Sequence, residues 1–290
     1  MFFNNDNSVK ENNQKSTISN SANQNLQPSV SSSANIISIV NQKGGVGKTT
    51  TAVNLAAGLS RNGQRVLLVD FDPQGNASSY LGINIASLTL SSIDVMNGVC
   101  TIERAILDTG RKNLHILPTN VKLGSYNQGG AGVNTRVLKD ALTSEFCNLN
   151  YDYIIIDCQP SLSILTINAM VASNGVIIAM QAEYLALDGL SQLLLTLKEV
   201  NQKLNMKLFI LGVVITMYDK RNKLCIEVRE ELVKHMSKDL FRTTIPRLVK
   251  LAESPSHGKT IFEYNPNGMA SLVYNDLANE VIARVKEKQK

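Results

Sequence analysis

The chain has little cysteine. Its four residues, Cys100, Cys147, Cys158 and Cys225, stand far apart, with no C-x-x-C pair among them. That spacing excludes a disulfide framework and a zinc site built within the chain, and leaves small thiols that behave as buried apolar groups. Long apolar runs are missing as well. None reaches the roughly 20 residues needed to cross a bilayer. The opening MFFNNDNSVKENNQK lacks the charged-then-apolar order of a secretory signal, so the expected location is cytoplasmic. Residues 1–34 are poor in apolar side chains and have no period. A segment so rich in Asn, Ser and Gln cannot offset its ordering entropy by burial, and reads as a disordered tail.

Charge of one sign is scarce overall, with a formal net charge of +5, but it is unevenly placed. From Lys203 onward there are 16 Lys and Arg against 10 Asp and Glu, while the preceding part sums to about −1. The basic character therefore belongs to the last third, where it bears on partners.

An ordered pattern begins abruptly at Asn35, and 290 residues suffice for one large domain, expected over 35–290. NIISIV (35–40) is a β-branched run suited to a strand buried on both faces. The amphipathic TTTAVNLAAGLSRNG follows as a helix ending at Gly63, and RVLLVDFD is the next strand. Strands are expected at LHILP, YDYIIIDC, GVIIAM and LFILGVVIT. Helices are expected at TRVLKDALTSEF, LSILTINAMVAS, LDGLSQLLLTLKEVNQKL, CIEVREELVKHM and SLVYNDLANEVIARVKEK. Such alternation implies crossover connections and a single α/β domain, a mostly parallel sheet with helices on both faces. Ligands of such sheets bind at the carboxyl ends of the strands, where this sequence clusters its Gly, Lys and Asp.

The stretch NQKGGVGKTT supplies the first cluster. Gly44, Gly45 and Gly47 let the backbone curl so that successive N–H groups face one anion, and the helix opening near Lys48 adds its positive end. Val46 and Thr50 belong to the same nucleotide-cradling run. Lys48 is placed to neutralise β and γ phosphates, and the Thr49 hydroxyl to bind Mg²⁺. The usual G-x-x-x-x-G-K-[ST] pattern fails at one point, since Gln42 stands where its first glycine belongs, followed by a second lysine, Lys43. Two further strand ends carry carboxylates. Asp157 can hold a metal, often through water; Asp72 can orient an attacking water or cap its own loop toward Gly75 or Asn76. For Asp70 a structural role is the favoured reading.

KGGVGKTT, VDFDPQGNAS, IIIDCQPSL, QAEYLALDGLSQLL and IPRLVKLAESPSHGK occur in that order. Together they resemble the ParA/Soj family of DNA-partitioning ATPases, in the wider group of P-loop NTPases with a deviant Walker A motif, over about 35–283. The resemblance implies an ATP- and Mg²⁺-dependent ATPase in which Lys43 reaches across a homodimer to the partner's nucleotide. It implies that Asp72 positions the hydrolytic water, and that Thr49 and Asp157 serve Mg²⁺. The segment around Pro246 and Leu248 would hold the adenine, although the family usually has Asn where Leu248 stands. Met217, in Thr216-Met217-Tyr218-Asp219, replaces the Lys that related GTPases carry, which weakens the case for guanine. Gln159 replaces a usual proline in the loop after Asp157. Basic residues at the positions of Arg221 and Lys250 contribute to non-specific DNA binding in the family, and a ParB-like centromere-binding partner stimulates hydrolysis. The implied cargo is a plasmid or chromosome region and the implied place is the nucleoid.

Three rivals share the loop. A membrane-associated positioning ATPase of the MinD kind requires a C-terminal amphipathic helix with large apolar residues; NEVIARVKEKQK is mixed in charge and has no aromatics, so no membrane partner is expected. A nitrogenase-type iron protein needs two cysteines per chain at a dimer axis. A small-molecule kinase or ligase would transfer phosphate to an acceptor other than water.

Overall fold

The computed structural model describes residues 34–128, 134–143 and 149–289. Of the two compact units into which the chain divides, Met1–Ser31 lies outside the described residues, and with it almost all of the segment read as a tail. In the second unit, β1 (Asn35–Val40) feeds a glycine turn and α1 (Lys48–Arg61). Next, β2 (Val66–Phe71) feeds a second turn and the short α2 (Asn76–Tyr80). Two more short helices, α3 (Ser92–Met96) and α4 (Ile102–Ala105), lead into β3 (Leu107–Arg111) and β4 (Leu114–Leu117). Helix α5 (Val137–Thr143) precedes β5 (Tyr153–Cys158), α6 (Ile164–Ala172), β6 (Gly175–Gln181) and α7 (Leu185–Lys203). Then come β7 (Phe209–Thr216), α8 (Lys223–Met236), the short α9 (Val249–Glu253) and α10 (Ile261–Tyr264), and the long α11 (Met269–Lys288).

The seven strands lie in the order β3-β4-β2-β5-β1-β6-β7, and every neighbouring pair is parallel except β3 with β4. The expected mostly parallel sheet is therefore present. Its central strands alternate between two cores, as successive residues of a pleated strand must. Ile37, Ile39, Leu68 and Ile155 join Leu55 and Leu59 of α1 and Tyr274 and Leu277 of α11 on one face. Ile36, Val40, Val69, Ile154 and Ile156 join Leu165, Leu193 and Val228 on the other. Both faces are covered, which is why these strands read as continuous apolar runs rather than alternating ones. Helix α11 is set close on α1, where a Cβ at Gly58 would lie 3.0 Å from Ala278 Cβ and 3.2 Å from the Tyr274 carbonyl oxygen.

Several elements differ from the sequence expectation. The edge strand β3, LDTGR, was not anticipated; it is polar, half-exposed and antiparallel, and its pairing to β4 is a tertiary choice that no apolar run announces. Helix α8 starts at Lys223 rather than Cys225, because the Asn222 side chain accepts a hydrogen bond from Leu224 N and caps it. Five helices of four or five residues (α2, α3, α4, α9 and α10) are too short to carry a 3.6-residue period. The helix expected at 135–146 is seen as Val137–Thr143; its last residues fall outside the described ones.

One further element borders the sheet. Residues 239–246 run beside β7, bridged in parallel at Val213 with Leu240 and at Tyr218 with Pro246. The approach is close at Gly212, where a Cβ would lie 2.6 Å from Phe241 Cε2 and 2.7 Å from the Asp239 carbonyl oxygen. Gly212→Ala is expected to push this segment off β7 and to lower stability by about 2–3 kcal/mol, read as a lower denaturant midpoint. An unchanged midpoint would show that the contact yields at no cost.

Candidate active site

The strand order puts the chemistry together. Strand β5 lies between β1 and β2, so Asp157 stands beside Ile39 on one side and in register with Asp70 on the other. The connection after β1 leads to β2 on one side of β5, and the connection after β5 leads to β6 on the far side of β1. The carboxyl ends of such diverging strands form the crevice in which doubly wound sheets bind ligands.

The loop between β1 and α1 fills the crevice floor. Gly45 and Gly47 take left-handed φ values of 73° and 81°, which only glycine adopts without strain, and Gly47 caps α1. Val46 is buried and its carbonyl accepts a hydrogen bond from Thr216 Oγ1 at 2.7 Å, while Gln181 Nε2 donates to the Gly45 carbonyl at 3.2 Å. The ends of β6 and β7 thus hold the loop from below. Gly44 is exposed, near Pro160 of the loop after β5. Thr49 and Thr50 occupy the first turn of α1, with the Thr50 carbonyl accepting from the Asn54 side chain at 2.9 Å.

The two lysines separate sharply. Lys48 is 6% exposed, and its Nζ donates to the Lys43 carbonyl at 3.0 Å. Burial lowers its pKa, opposed by the negative charge of Asp157 and Asp72. Lys43 points the other way: its Nζ is paired with the Glu183 carboxylate just beyond β6, and both side chains are about half exposed. Glu183 was not singled out from the sequence. Its position two residues past the last residue of β6, at a carboxyl end, is the signal that marks it.

The carboxylates divide in the same manner. Asp157 is fully buried, and neither of its oxygens has a hydrogen-bond partner of ordinary geometry. Burial and the charge of Asp70 push its pKa well above the usual carboxylate range, against the Thr49 hydroxyl and Lys48, which favour the charged form. A buried carboxylate without a partner, facing a helix-start hydroxyl and a phosphate-binding loop, fits a divalent cation that would supply the missing positive charge. Asp72 is nearly buried; its Oδ1 accepts from Gln74 N at 3.0 Å and its carbonyl from Gly75 N at 2.8 Å. It does cap its turn through the side chain, one residue earlier than expected. Asp70 is structural: Ser78 N and Oγ both donate to its Oδ2 at 2.7 Å, tying β2 to α2.

The segment 245–248 meets this crevice through β7. Tyr218 N donates to the Ile245 carbonyl at 2.9 Å, and Pro246 bridges Tyr218. Met217 adopts a left-handed φ of 50°, a strained conformation for a residue with a Cβ. A Cβ at Gly47 would lie 3.7 Å from Thr216 Cβ and 3.9 Å from Met217 Cε, so this strand end packs directly against the loop. Leu248 is partly buried against the α1 face of the core. Gln159, 9% exposed, hydrogen-bonds to Ser163 at the start of α6, which anchors the loop that lacks the family's proline. Arg221 and Lys250 stand outside this crevice. Arg221 Nε and Nη2 each donate to Asp219 at 3.0 Å with the arginine side chain 86% exposed; Lys250 Nζ bonds Glu253 at 2.8 Å and lies over the Tyr264 ring. Cys158 and Cys225 are buried, Cys100 is half-buried, and Cys147 lies outside the described residues.

Burial raises Asp70 from 3.8 to about 6, with the Ser78 bonds opposing it. The folded state therefore holds this proton more tightly than the unfolded one. Stability falls as pH rises from 3.8 to about 6, and the penalty is complete above that interval. Asp70→Asn carries no charge and is expected to be more stable than the parent at pH 7.5 by roughly 2–3 kcal/mol, with the difference vanishing near the unfolded pKa. Urea melts of the nucleotide-free protein at several pH values check this; a constant difference would contradict it.

Comparison with known proteins agrees with this geometry. A family model described as an AAA domain matches residues 34–210. The chain is 48% identical over 248 residues to the sporulation initiation inhibitor protein Soj of Bacillus subtilis, covering 86% of this chain and 98% of that one. It is 45% identical over 251 residues to the chromosome-partitioning ATPase Soj of Thermus thermophilus, covering 87% and 96%. Two solved structures share the fold. Cobyrinic acid a,c-diamide synthase of Mycobacterium smegmatis with bound ATP analogue and magnesium superposes at TM-score 0.73, with 31% identity over 87% of this chain and 96% of that one. A plasmid partition protein of Borrelia burgdorferi superposes at 0.69, with 28% identity over 88% and 100%. With near-complete coverage of its relatives and a phosphate loop closed by two lysines, the chain belongs to the ParA/Soj family of partitioning ATPases, which use ATP and Mg²⁺.

Proposed function

We propose that the protein moves DNA through an ATP-driven cycle of dimerisation, in which two chains enclose two nucleotides face to face. The observation that carries this reading is the separation of the two lysines, Lys48 buried inside its own loop and Lys43 outside it on an exposed carboxylate. Lys48 serves the phosphates of its own chain. Lys43, held by a partly solvated ion pair worth little, is available to a triphosphate presented by a second copy. Two anionic nucleotides facing each other repel, and one cation donated by each chain offsets that repulsion in the manner of a finger supplied in trans. Exposed Gly44 and Gly45 allow the backbones to approach.

Within one site, the N–H groups of the loop from Gly44 to Thr50 cradle the phosphates, Lys48 neutralises the β and γ oxygens, and Thr49 and Asp157 would hold Mg²⁺. When bound, Mg²⁺ would supply neutralising charge to the phosphates. Lys48 gives up its bond to the Lys43 carbonyl for the phosphates, which compensates its burial. Asp72, fixed by the Gln74 amide, polarises the water that attacks the γ phosphorus. Backbone groups around Pro246 and Leu248 hold the adenine. Arg221 and Lys250 then contact DNA phosphates without reading sequence, and a ParB-like partner bound at a centromere stimulates hydrolysis and release. The cargo is a plasmid or chromosome region, and the working location is cytoplasmic and nucleoid-associated. The domain spans 35–290.

Nothing in α11 favours a membrane-associated role. Its residues Leu277, Val281 and Val285 are buried against the core, so its C-terminal half has no free apolar stripe of that kind to offer an interface, and no helix among the described residues is long and apolar enough to cross a membrane.

Lys43→Ala is expected to stay monomeric with a non-hydrolysable ATP analogue and to lose ATPase activity, while Asp72→Ala dimerises, stays on DNA and hydrolyses at least about a hundredfold more slowly. Light scattering with phosphate release checks both; a monomeric parent under saturating analogue would overturn the cycle. Arg221→Glu should weaken DNA binding by the ATP form, and parental binding should fall steeply between ~50 and ~200 mM salt. A salt-insensitive affinity, or an unimpaired variant, would remove this surface from the reading.

A further inference from the structure

The segment 239–246 does not match β7 residue for residue. Phe241 N donates to the Val213 carbonyl at 2.9 Å, and the next bond to β7 runs from Ile245 N to the Ile215 carbonyl at 2.8 Å. A step of two residues on β7 thus faces a step of four on the segment, and Arg242, Thr243 and Thr244 bulge out of the ladder. The bulge leaves backbone donors that the strand cannot satisfy, and a buried N–H without a partner is costly.

A carboxylate from another element satisfies them. Glu280 of α11, whose side chain is 8% exposed, accepts from Arg242 N at 2.9 Å, Thr243 N at 3.0 Å and Thr243 Oγ1 at 2.9 Å. Arg284, one turn on, donates to the same carboxylate through Nε and Nη2 at 3.2 and 3.0 Å. Arg284 also donates to the carbonyls of Leu211 at 3.0 Å, Lys238 at 3.3 Å and Leu240 at 2.5 Å, and its guanidinium stacks on Phe241 at 4.2 Å. Burial alone would raise the Glu280 pKa; these bonds hold it below the usual range, so the group is charged and fully engaged. The α11 helix that presents the pair is packed on α1, the helix that begins with the phosphate loop.

We propose that Glu280, braced by Arg284, is a positioning residue for the nucleotide base: it locks the bulge at 242–244 against α11 and so fixes Pro246–Leu248 relative to the phosphate loop. This rests on the reading that the Pro246–Leu248 backbone holds the adenine. The chain of contact is continuous. The bulge ends at Ile245, whose amide bonds to Ile215 of β7 and whose carbonyl accepts from Tyr218 just beyond it, and β7 ends against Gly47. A flexible bulge would let the base-holding backbone drift while leaving the phosphate cradle intact.

The test is isothermal titration of ATP, GTP and tripolyphosphate, each with Mg²⁺, on the full chain and its variants, with steady-state kinetics alongside. Glu280→Gln keeps the shape but places an amide donor against the Thr243 amide. It is expected to weaken ATP by about tenfold, to leave tripolyphosphate unchanged, and to narrow the preference for ATP over GTP. KM for ATP should rise while kcat stays within about twofold. Thr243→Val removes only the hydroxyl bond and should move the same quantities by about threefold, a milder change available if the first variant folds poorly. Unchanged ATP affinity in both variants, or parallel loss of ATP and tripolyphosphate, overturns the proposal. Pro246→Gly separates the two layers of the argument. If it leaves the advantage of ATP over tripolyphosphate intact, the segment does not hold the base and both statements fall. If it reduces that advantage while Glu280→Gln does not, only the role of Glu280 falls.

Discussion

The fold depends on how it carries one buried, unsatisfied carboxylate, that of Asp157. It sits at the carboxyl end of the central strand of a seven-stranded sheet, fully buried, beside the carboxylate of Asp70 and without a hydrogen-bond partner of ordinary geometry. No packing argument explains such a residue, since an apolar side chain there would complete the core at no electrostatic cost. In the proposed reading, Mg²⁺ held by Thr49 and Asp157 would supply the positive charge that offsets this cost.

The same logic separates Asp70 from Asp157. Both end apolar strands and both are fully buried, yet Asp70 receives two bonds from Ser78 and stitches a turn. That turn carries Asp72, and its geometry places a capped, acceptor-rich carboxylate at the crevice. Structural and chemical carboxylates are thus neighbours, told apart by whether the protein satisfies their oxygens. The lysines follow suit: one is enclosed within its own loop, and the other is paired with a half-exposed carboxylate.

Farther out, the edge of the sheet shows how a distant helix bears on the site. Residues 239–246 would be a weak edge strand if left alone, because two extra residues interrupt its ladder. Glu280 and Arg284 replace the missing partners and transfer the rigidity of α11 to a segment that leads to the crevice rim. That α11 packs on α1 means the two walls of the crevice share one support.

The phosphate loop, the parallel sheet and the aspartates at the strand ends were legible in the amino-acid order, because each is a local pattern: glycines at fixed offsets, lysine before a hydroxyl, and β-branched runs ending in Asp. The polar strand β3 and the four- and five-residue helices were not, since short or polar elements carry no period and depend on what they pack against. Nor could the order of residues reveal that Lys43 rests on Glu183, 140 positions away, or that Glu280 closes a bulge 37 and 38 positions upstream. Sequence determined which chemical groups the protein owns and at which strand ends they stand. Tertiary structure alone decided which of them are satisfied within the fold and which are left for a ligand or partner, because hydrogen-bond and charge balance are summed over contacts between segments far apart in the chain.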